Sequence, residues 1–246
     1  MLEAENIVKK FGGLWAIDRL NFMIEEGEIV GLIGPNGSGK TTLFNVITGL
    51  YPADQGRVVY KGKDITRLKT HMIAKLGITR TFQIVRPLLS LTVEENVAVA
   101  ACYGRDAIDS VVKAKKRAWE LLEFVGLESK RHLRAEDLVT AERKRLEIAR
   151  SLAVRPDLLL LDETFSGLNE IEVQDAIEMI FRIRDELGIT IFLIEHVMKA
   201  IMGTCDKIIA MDHGVKLVEG KPEEVASDSS VIEAYLGRKH AAGKKY

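Results

Sequence analysis

Apolar and polar positions alternate along the first sixty residues, as at Leu20, Phe22 and Ile24, with breaks at Gly12-Gly13 and Glu26-Gly27-Glu28. A period of two interrupted by glycine turns predicts strands between Leu2 and Tyr60. Ile29 to Ile33 is an unbroken apolar run and reads as a buried strand. A glycine-rich loop follows from Gly34 to Gly39, then a helix from Lys40 to about Thr48, closed by Gly49. From near Gln83 to about Ala153 the period lengthens and strand signals vanish. Thr92-Val93-Glu94-Glu95 has the form of a capping box that opens a helix through Cys102. Val112, Ala118, Leu121, Leu122 and Val125 recur at helical spacing ahead of Gly126, and Leu146 to Leu152 ends another helix. After Pro156 the strands return with Leu158 to Leu161, whose continuous apolar character suits a parallel strand covered on both faces. Helix Ile171 to Leu187, strand Thr190 to Ile194, helix Val197 to Thr204 and strand Lys207 to Met211 then alternate as βα units.

This succession predicts an α/β core, a mixed sheet flanked by helices, formed by residues 1–83 and 156–237 with an antiparallel β portion near its N-terminus. Residues 84–155 form an inserted helical lobe, and residues 238–246 a frayed basic tail. With 47% hydrophobic and 29% charged residues over 246 positions, the chain has the composition of a soluble globular protein with a sizeable core. A net charge of −1 gives no electrostatic reason to expect nucleic acid as a partner. The longest apolar runs fall far short of the roughly 20 residues that span a bilayer, so any membrane role is expected to come through a partner. Met1-Leu2-Glu3 lacks the basic start and apolar core of a secretory signal. Cys102 and Cys205 have neither metal-ligand nor redox spacing, which fits a reducing cytosol.

Gly34-Pro35-Asn36-Gly37-Ser38-Gly39-Lys40-Thr41 satisfies the P-loop pattern, and its place between a strand and a helix is the one phosphate binding requires. The glycines let backbone N–H groups converge on phosphate oxygens, and the helix N-terminus adds positive potential. Lys40 reaches the β and γ phosphates, Thr41 ligates Mg²⁺, and Thr42 completes the ATP-binding set. The alternative, a glycine turn ahead of an ordinary helix, is disfavoured by the strand before the loop and the helix after it. The fold class is therefore a P-loop NTPase core. Asp162 and Glu163 end the apolar run from Leu158, where one carboxylate can serve Mg²⁺ and its neighbour can orient or deprotonate attacking water. A strand ending in Asp-Glu is by itself often a solvated turn; the P-loop upstream is what gives this pair weight.

Taken in order, the phosphate loop, Gln83, the region around Leu138, Asp162-Glu163, Ser166-Gly167-Leu168-Asn169 and His196 resemble the nucleotide-binding subunits of ABC transporters over nearly the whole chain. Within that family the resemblance narrows toward the subunits of branched-chain amino acid uptake, through Thr81-Phe82-Gln83, the stretch Lys144 to Arg150, Ile194-Glu195-His196 and the ending Val231 to Gly237. The resemblance implies an ATPase that binds ATP and Mg²⁺ and stacks adenine on Phe11. It implies Gln83 and His196 as γ-phosphate sensors, with Gln83 also serving the metal. It further implies docking of integral-membrane permease subunits, pairing with an identical or paralogous second ATPase subunit, and an indirect tie to a substrate-binding protein at the cytoplasmic face of the membrane. Asn169 stands where the family usually has Asp, and Thr164 where it usually has Pro.

One departure is larger. Leu138-Val139-Thr140-Ala141-Glu142 occupies the place of the family's Leu-Ser-Gly-Gly-Gln, which grips ATP bound to the opposite subunit. Val139 removes the serine hydroxyl, while Thr140 and Ala141 keep their N–H groups but add side chains. Glu142 brings a negative charge that suits a helix start and does not suit phosphate. Two readings follow. Either Thr140 substitutes for the serine while Glu142 caps the helix, leaving a competent ATPase, or the site is a nucleotide-binding regulatory one with little turnover. The presence of Gln83, Glu163 and His196 favours the first. A non-transport ABC ATPase is expected to carry a long coiled coil or second ATPase unit, and a P-loop kinase or GTPase a guanine motif or arginine-rich lid; neither pattern occurs.

Overall fold

The structure, a computed structural model, describes residues 1–82 and 87–236. Gln83, Gly237 and the tail at 238–246 lie outside the described residues. In chain order the elements are β1 (Leu2–Phe11), β2 (Leu14–Ile24), β3 (Ile29–Ile33), α1 (Lys40–Ile47), β4 (Gln55–Tyr60) and β5 (Lys63–Asp64). There follow α2 (Thr70–Leu76), β6 (Ile78–Arg80), α3 (Val93–Tyr103), α4 (Val111–Phe124), α5 (Thr140–Ala153), β7 (Leu158–Asp162) and α6 (Glu170–Leu187). The chain closes with β8 (Thr190–Ile194), α7 (Met198–Thr204), β9 (Lys207–Asp212), β10 (Val215–Gly220), α8 (Pro222–Ser227) and α9 (Ser229–Leu236). The described residues form two compact units, one of residues 1–70 with 190–236 and one of residues 71–82 with 87–189.

The first unit holds two sheets. One is antiparallel, in the order β2-β1-β4-β5, and β2 buries Ile17, Leu20, Phe22 and Ile24 while exposing Arg19, Asn21 and Met23. The other is mixed: β3 runs parallel to both β8 and β9, and β10 returns antiparallel to β9. Every residue of β3 and β8 is buried, as a central parallel strand with covered faces requires. Phe192 of β8 packs between Phe44 of α1 and Phe22 of β2, with ring centroids 5.0 and 5.6 Å away. The α1 helix, with its phosphate loop, is thereby seated on the sheet through an aromatic contact.

The second unit is mostly helical. The capping box at its first long helix forms as the sequence predicts: Thr92 Oγ1 accepts the Glu95 N–H at 3.2 Å, and Glu95 Oε2 accepts the Thr92 N–H at 2.9 Å. The α3, α4 and α5 helices pack on one another through Val93, Val97, Ala118, Leu121, Leu122, Leu146 and Leu152. Val112 does not join that face. It is 79% exposed, because it sits about 200° around the helix from the buried Ala114. In the same unit β6 and β7 form a parallel pair with Arg80 opposite Leu160. Among the described residues no helix is long and apolar enough to cross a membrane, and both cysteines are free.

Candidate nucleotide site

The phosphate loop grows directly out of β3. Gly34 has φ 152° and Gly39 φ 107°, and a Cβ at either would stand 2.1 Å from the Met211 carbonyl oxygen or 2.3 Å from that of Ala16. Only glycine permits both the conformation and the approach. The loop folds back on itself as the Ser38 N–H donates to the Pro35 carbonyl at 3.2 Å. Lys40 is buried, and its ammonium donates to the carbonyls of Gly34 at 2.7 Å and Pro35 at 3.0 Å. Its own loop thus holds the cation in place. At the start of α1 there is no side-chain cap and no acidic residue in the first turn. The positive end of the helix, with the N–H groups of Lys40, Thr41 and Thr42, is left for an anion.

Parallel register brings further residues to the same edge of this sheet. Leu32 pairs with Ile194, so β3 delivers Gly34, Pro35, Asn36, Gly37 and Ser38 beyond the strand ends where β8 delivers Glu195 and His196. Ligands of parallel sheets bind at this carboxyl edge. His196 is exposed there, whereas Glu195 is buried. Phe11, at the end of β1, is 44% exposed and is braced edge-on by Tyr51 at a centroid distance of 5.3 Å, with the Lys9 ammonium 5.4 Å from its ring. A π face so supported is available for stacking.

In the second unit, β7 ends on Asp162, whose side chain is fully buried. Arg80 of β6 pairs with its carboxylate at 2.5 Å, and its N–H donates to Thr81 Oγ1 at 3.1 Å. Glu163 follows with φ 51°, a left-handed conformation that costs a side-chain-bearing residue about 1–2 kcal/mol. Held strain of this kind marks a residue whose placement the surroundings dictate. The same cleft is lined by Thr81, Phe82, Lys144, Glu147, Asp162 and Glu163. Glu147 is buried and accepts the Phe82 N–H at 2.8 Å; burial pushes its carboxyl above the usual range despite that bond. Arg80, Lys144 and Glu147 are additions to the sequence-based site. Lys144 and Glu147 lie inside the stretch Lys144 to Arg150 that carried the family resemblance, and nothing in their spacing indicated a contact with the turn after β7 or with Phe82.

Ser166, Gly167 and Leu168 continue the turn, with the Ser166 N–H donating to the Glu163 carbonyl at 3.3 Å and Gly167 at φ 75°. Asn169 then caps α6, accepting the N–H groups of Ile171 and Glu172 at 3.0 Å each, while Glu172 Oε2 accepts the Asn169 N–H at 2.9 Å. Asparagine therefore retains the capping function of the aspartate it replaces. Leu138 is buried and anchors the altered signature loop, Val139 is 61% exposed at the N-cap of α5, and Thr140 is exposed at its first position, ahead of half-buried Ala141. Glu142 turns back onto the loop: its carboxylate accepts the Val139 N–H at 3.2 Å and pairs with Lys130. Burial opposes its ionisation, but Lys130 and the Val139 N–H outweigh it and hold the carboxyl below the usual range.

A buried parallel strand, a glycine-held loop, a caged lysine and an open helix start define the P-loop nucleotide-binding class. Residues 17–166 match the family described as ABC transporter, and residues 215–241 that described as branched-chain amino acid ATP-binding cassette transporter. The chain is 38% identical to the high-affinity branched-chain amino acid transport ATP-binding protein BraF of Pseudomonas aeruginosa, over 96% of this chain and 98% of that one. It is 37% identical to the probable branched-chain amino acid transport ATP-binding protein LivG of Archaeoglobus fulgidus, over 96% and 95%. Among solved structures it resembles the ADP conformation of MJ1267, an ATP-binding cassette of an ABC transporter, with a TM-score of 0.87 and 33% identity over 96% of this chain and 98% of that chain. It also resembles the dimeric structure of MJ0796, a bacterial ABC transporter cassette, with a TM-score of 0.82 and 27% identity over 90% and 99%. The chain belongs to the ABC transporter family, as an ATP-binding subunit of its ATPase type.

Proposed function

We propose that this chain hydrolyses ATP to energise an integral-membrane permease that takes up branched-chain or related amino acids. The observation that carries this reading is the caged Lys40 at an open helix start, in a chain that matches branched-chain amino acid transport ATP-binding proteins over nearly its whole length. Adenine stacks on Phe11. The loop from Gly34 to Lys40, with the N–H groups of Thr41 and Thr42, receives the phosphates. The fully buried Asp162 carboxylate and the Thr41 hydroxyl are hard oxygen donors, which suits Mg²⁺ better than a softer metal. With Gln83 as a further ligand, these groups would hold Mg²⁺, which would supply charge neutralisation at the phosphates.

Glu163 orients the attacking water and draws its proton, and Gln83 and His196 read the last phosphate. Two ATPase subunits, identical or paralogous, close on two nucleotides. Leu138 to Glu142 and Ser166 to Asn169 meet the opposite subunit, with Thr140 presenting the hydroxyl that Val139 lacks. The chain acts at the cytoplasmic face of the membrane as a peripheral subunit, with a substrate-binding protein feeding the permease. The core of residues 1–83 and 156–237 carries the nucleotide, and the lobe of residues 84–155 receives the permease. Glu163→Gln tests the assignment: turnover is expected to fall at least about 100-fold while ATP accumulates in a stable dimer on size-exclusion chromatography. Loss of turnover with no trapped ATP-bound dimer contradicts the role given to Glu163.

A second reading, a regulatory subunit that binds ATP with little turnover, draws on the exposed Val139 at the head of α5, which has no hydroxyl to offer phosphate. Steady-state phosphate release, with and without the permease, separates the two readings.

A further inference from the structure

We propose that Lys144 is a positioning residue that holds the Glu163–Ser166 turn from the helix that begins at the altered signature loop. Its ammonium donates to the carbonyl oxygens of Glu163 at 3.2 Å, Thr164 at 2.8 Å and Ser166. Three carbonyl dipoles converging on one point repel one another, and the group that offsets this best is a compact cation with three donors. Arginine presents a flat fork and glutamine two donors without charge, so neither reproduces the arrangement. The turn needs such a hold. Glu163 sits at φ 51°, and the Thr164 hydroxyl is buried with no hydrogen-bond partner among the described residues, so that side chain does not fasten the turn.

The position of Lys144 along the helix gives the contact its consequence. Thr140, the first residue of α5, and Lys144 are four residues apart and lie on one face, a turn from each other. A displacement of the helix start is carried to the carbonyls of Glu163, Thr164 and Ser166 through this side chain. The Asn169 cap of α6 lies three residues beyond Ser166, so the same hold fixes the approach to that helix. Lys144 thereby ties the loop facing the opposite subunit's nucleotide to the carboxylate serving this subunit's own. The inference rests on the ATPase reading for its catalytic consequence, while the hold on the turn is measurable without turnover.

Lys144→Met keeps the stem and removes the charge. The expected result is a fall in kcat of about tenfold or more, with KM for ATP and nucleotide affinity within twofold of wild type, and amide exchange at Ser166 and Leu168 at least about tenfold faster. Lys144→Cys alkylated with 2-bromoethylamine, in a Cys102→Ser background, restores an ammonium at nearly the native reach. Cys205 is spared because burial pushes its thiol up to about 12. Recovery of half or more of the wild-type kcat by the aminoethylated protein supports the positioning role. A Lys144→Met enzyme with wild-type kcat, an equal loss of ATP affinity, or a defect that aminoethylation leaves uncorrected overturns it. If Lys144→Met does not fold, Lys144→Arg provides the same comparison, with intermediate kcat and exchange expected and wild-type values overturning the proposal. A wild type without turnover sinks the ATPase reading alone; the exchange rates then decide the hold on the turn, and unchanged exchange in Lys144→Met overturns it.

Discussion

Two helices of this chain begin at loops assigned to ATP, and their N-termini are built in opposite ways. The α1 helix starts after a left-handed Gly39 with neither a side-chain cap nor an acidic residue in its first turn. The α5 helix starts after Val139, and Glu142 in its first turn takes the Val139 N–H while Lys130 pairs with the carboxylate. Both ends carry the partial positive charge of a helix start. One keeps it open for phosphate, and the other answers part of it from within. The difference shows why a loop can depart from its family's spelling without surrendering the geometry of a helix start. At α5 the carboxylate is taken up by the cap, and under the proposed function the exposed Thr140 hydroxyl and the following N–H groups are what the helix offers a nucleotide.

The largest effect that would sharpen this contrast is expected at the open end. Lys40→Ala removes the cation caged by Gly34 and Pro35 and should weaken ATP binding by about 100-fold or more, as measured by isothermal titration. At the filled end the expected effect falls on turnover rather than affinity. Thr140→Ala should slow phosphate release several-fold while the isolated subunit binds ATP as before; unchanged turnover would assign the contact to the backbone N–H groups alone.

The smallest effect concerns the cap itself. Glu142 titrates below its usual value in the folded chain, so its ionised form contributes stability above the ordinary glutamate pKa, and that contribution is lost as pH falls through the depressed folded value. Glu142→Gln should cost about 0.5–1 kcal/mol at pH 7, or roughly 1–4 °C in Tm, and nothing measurable once the pH is below that of the folded carboxyl. A Tm difference that persists unchanged into acid would break the capping account.

The open end was legible because its parts are contiguous: Ile29 to Thr41 is one strand, one loop and one helix start, and each has a local cause in glycine, lysine or apolar run. The Thr92 box was legible for the same reason. Elsewhere the contacts that build the site join distant positions. Arg80 meets Asp162 from 82 residues away, and Glu147 meets Phe82 from 65, and neither pairing leaves a spacing to read. Lys144 acts on backbone carbonyls, which every residue possesses, so its partners carry no side-chain signature. The β10 strand was missed because its residues grade from exposed to half-buried without alternation, its pairing with β9 being set by the turn at Gly214, φ 81°. Val112 shows the converse error, an apolar residue at apparent helical spacing that faces solvent.

Under the proposed function, the altered loop from Leu138 to Glu142 still completes a hydrolytic site across a pair of subunits. Phosphate release by the purified chain, followed at saturating ATP as subunit concentration is raised, tests it most directly. The rate per subunit is expected to climb with concentration as dimers form, well above that of Lys40→Ala. A rate that stays at the Lys40→Ala baseline at every concentration, with or without the permease, would contradict it.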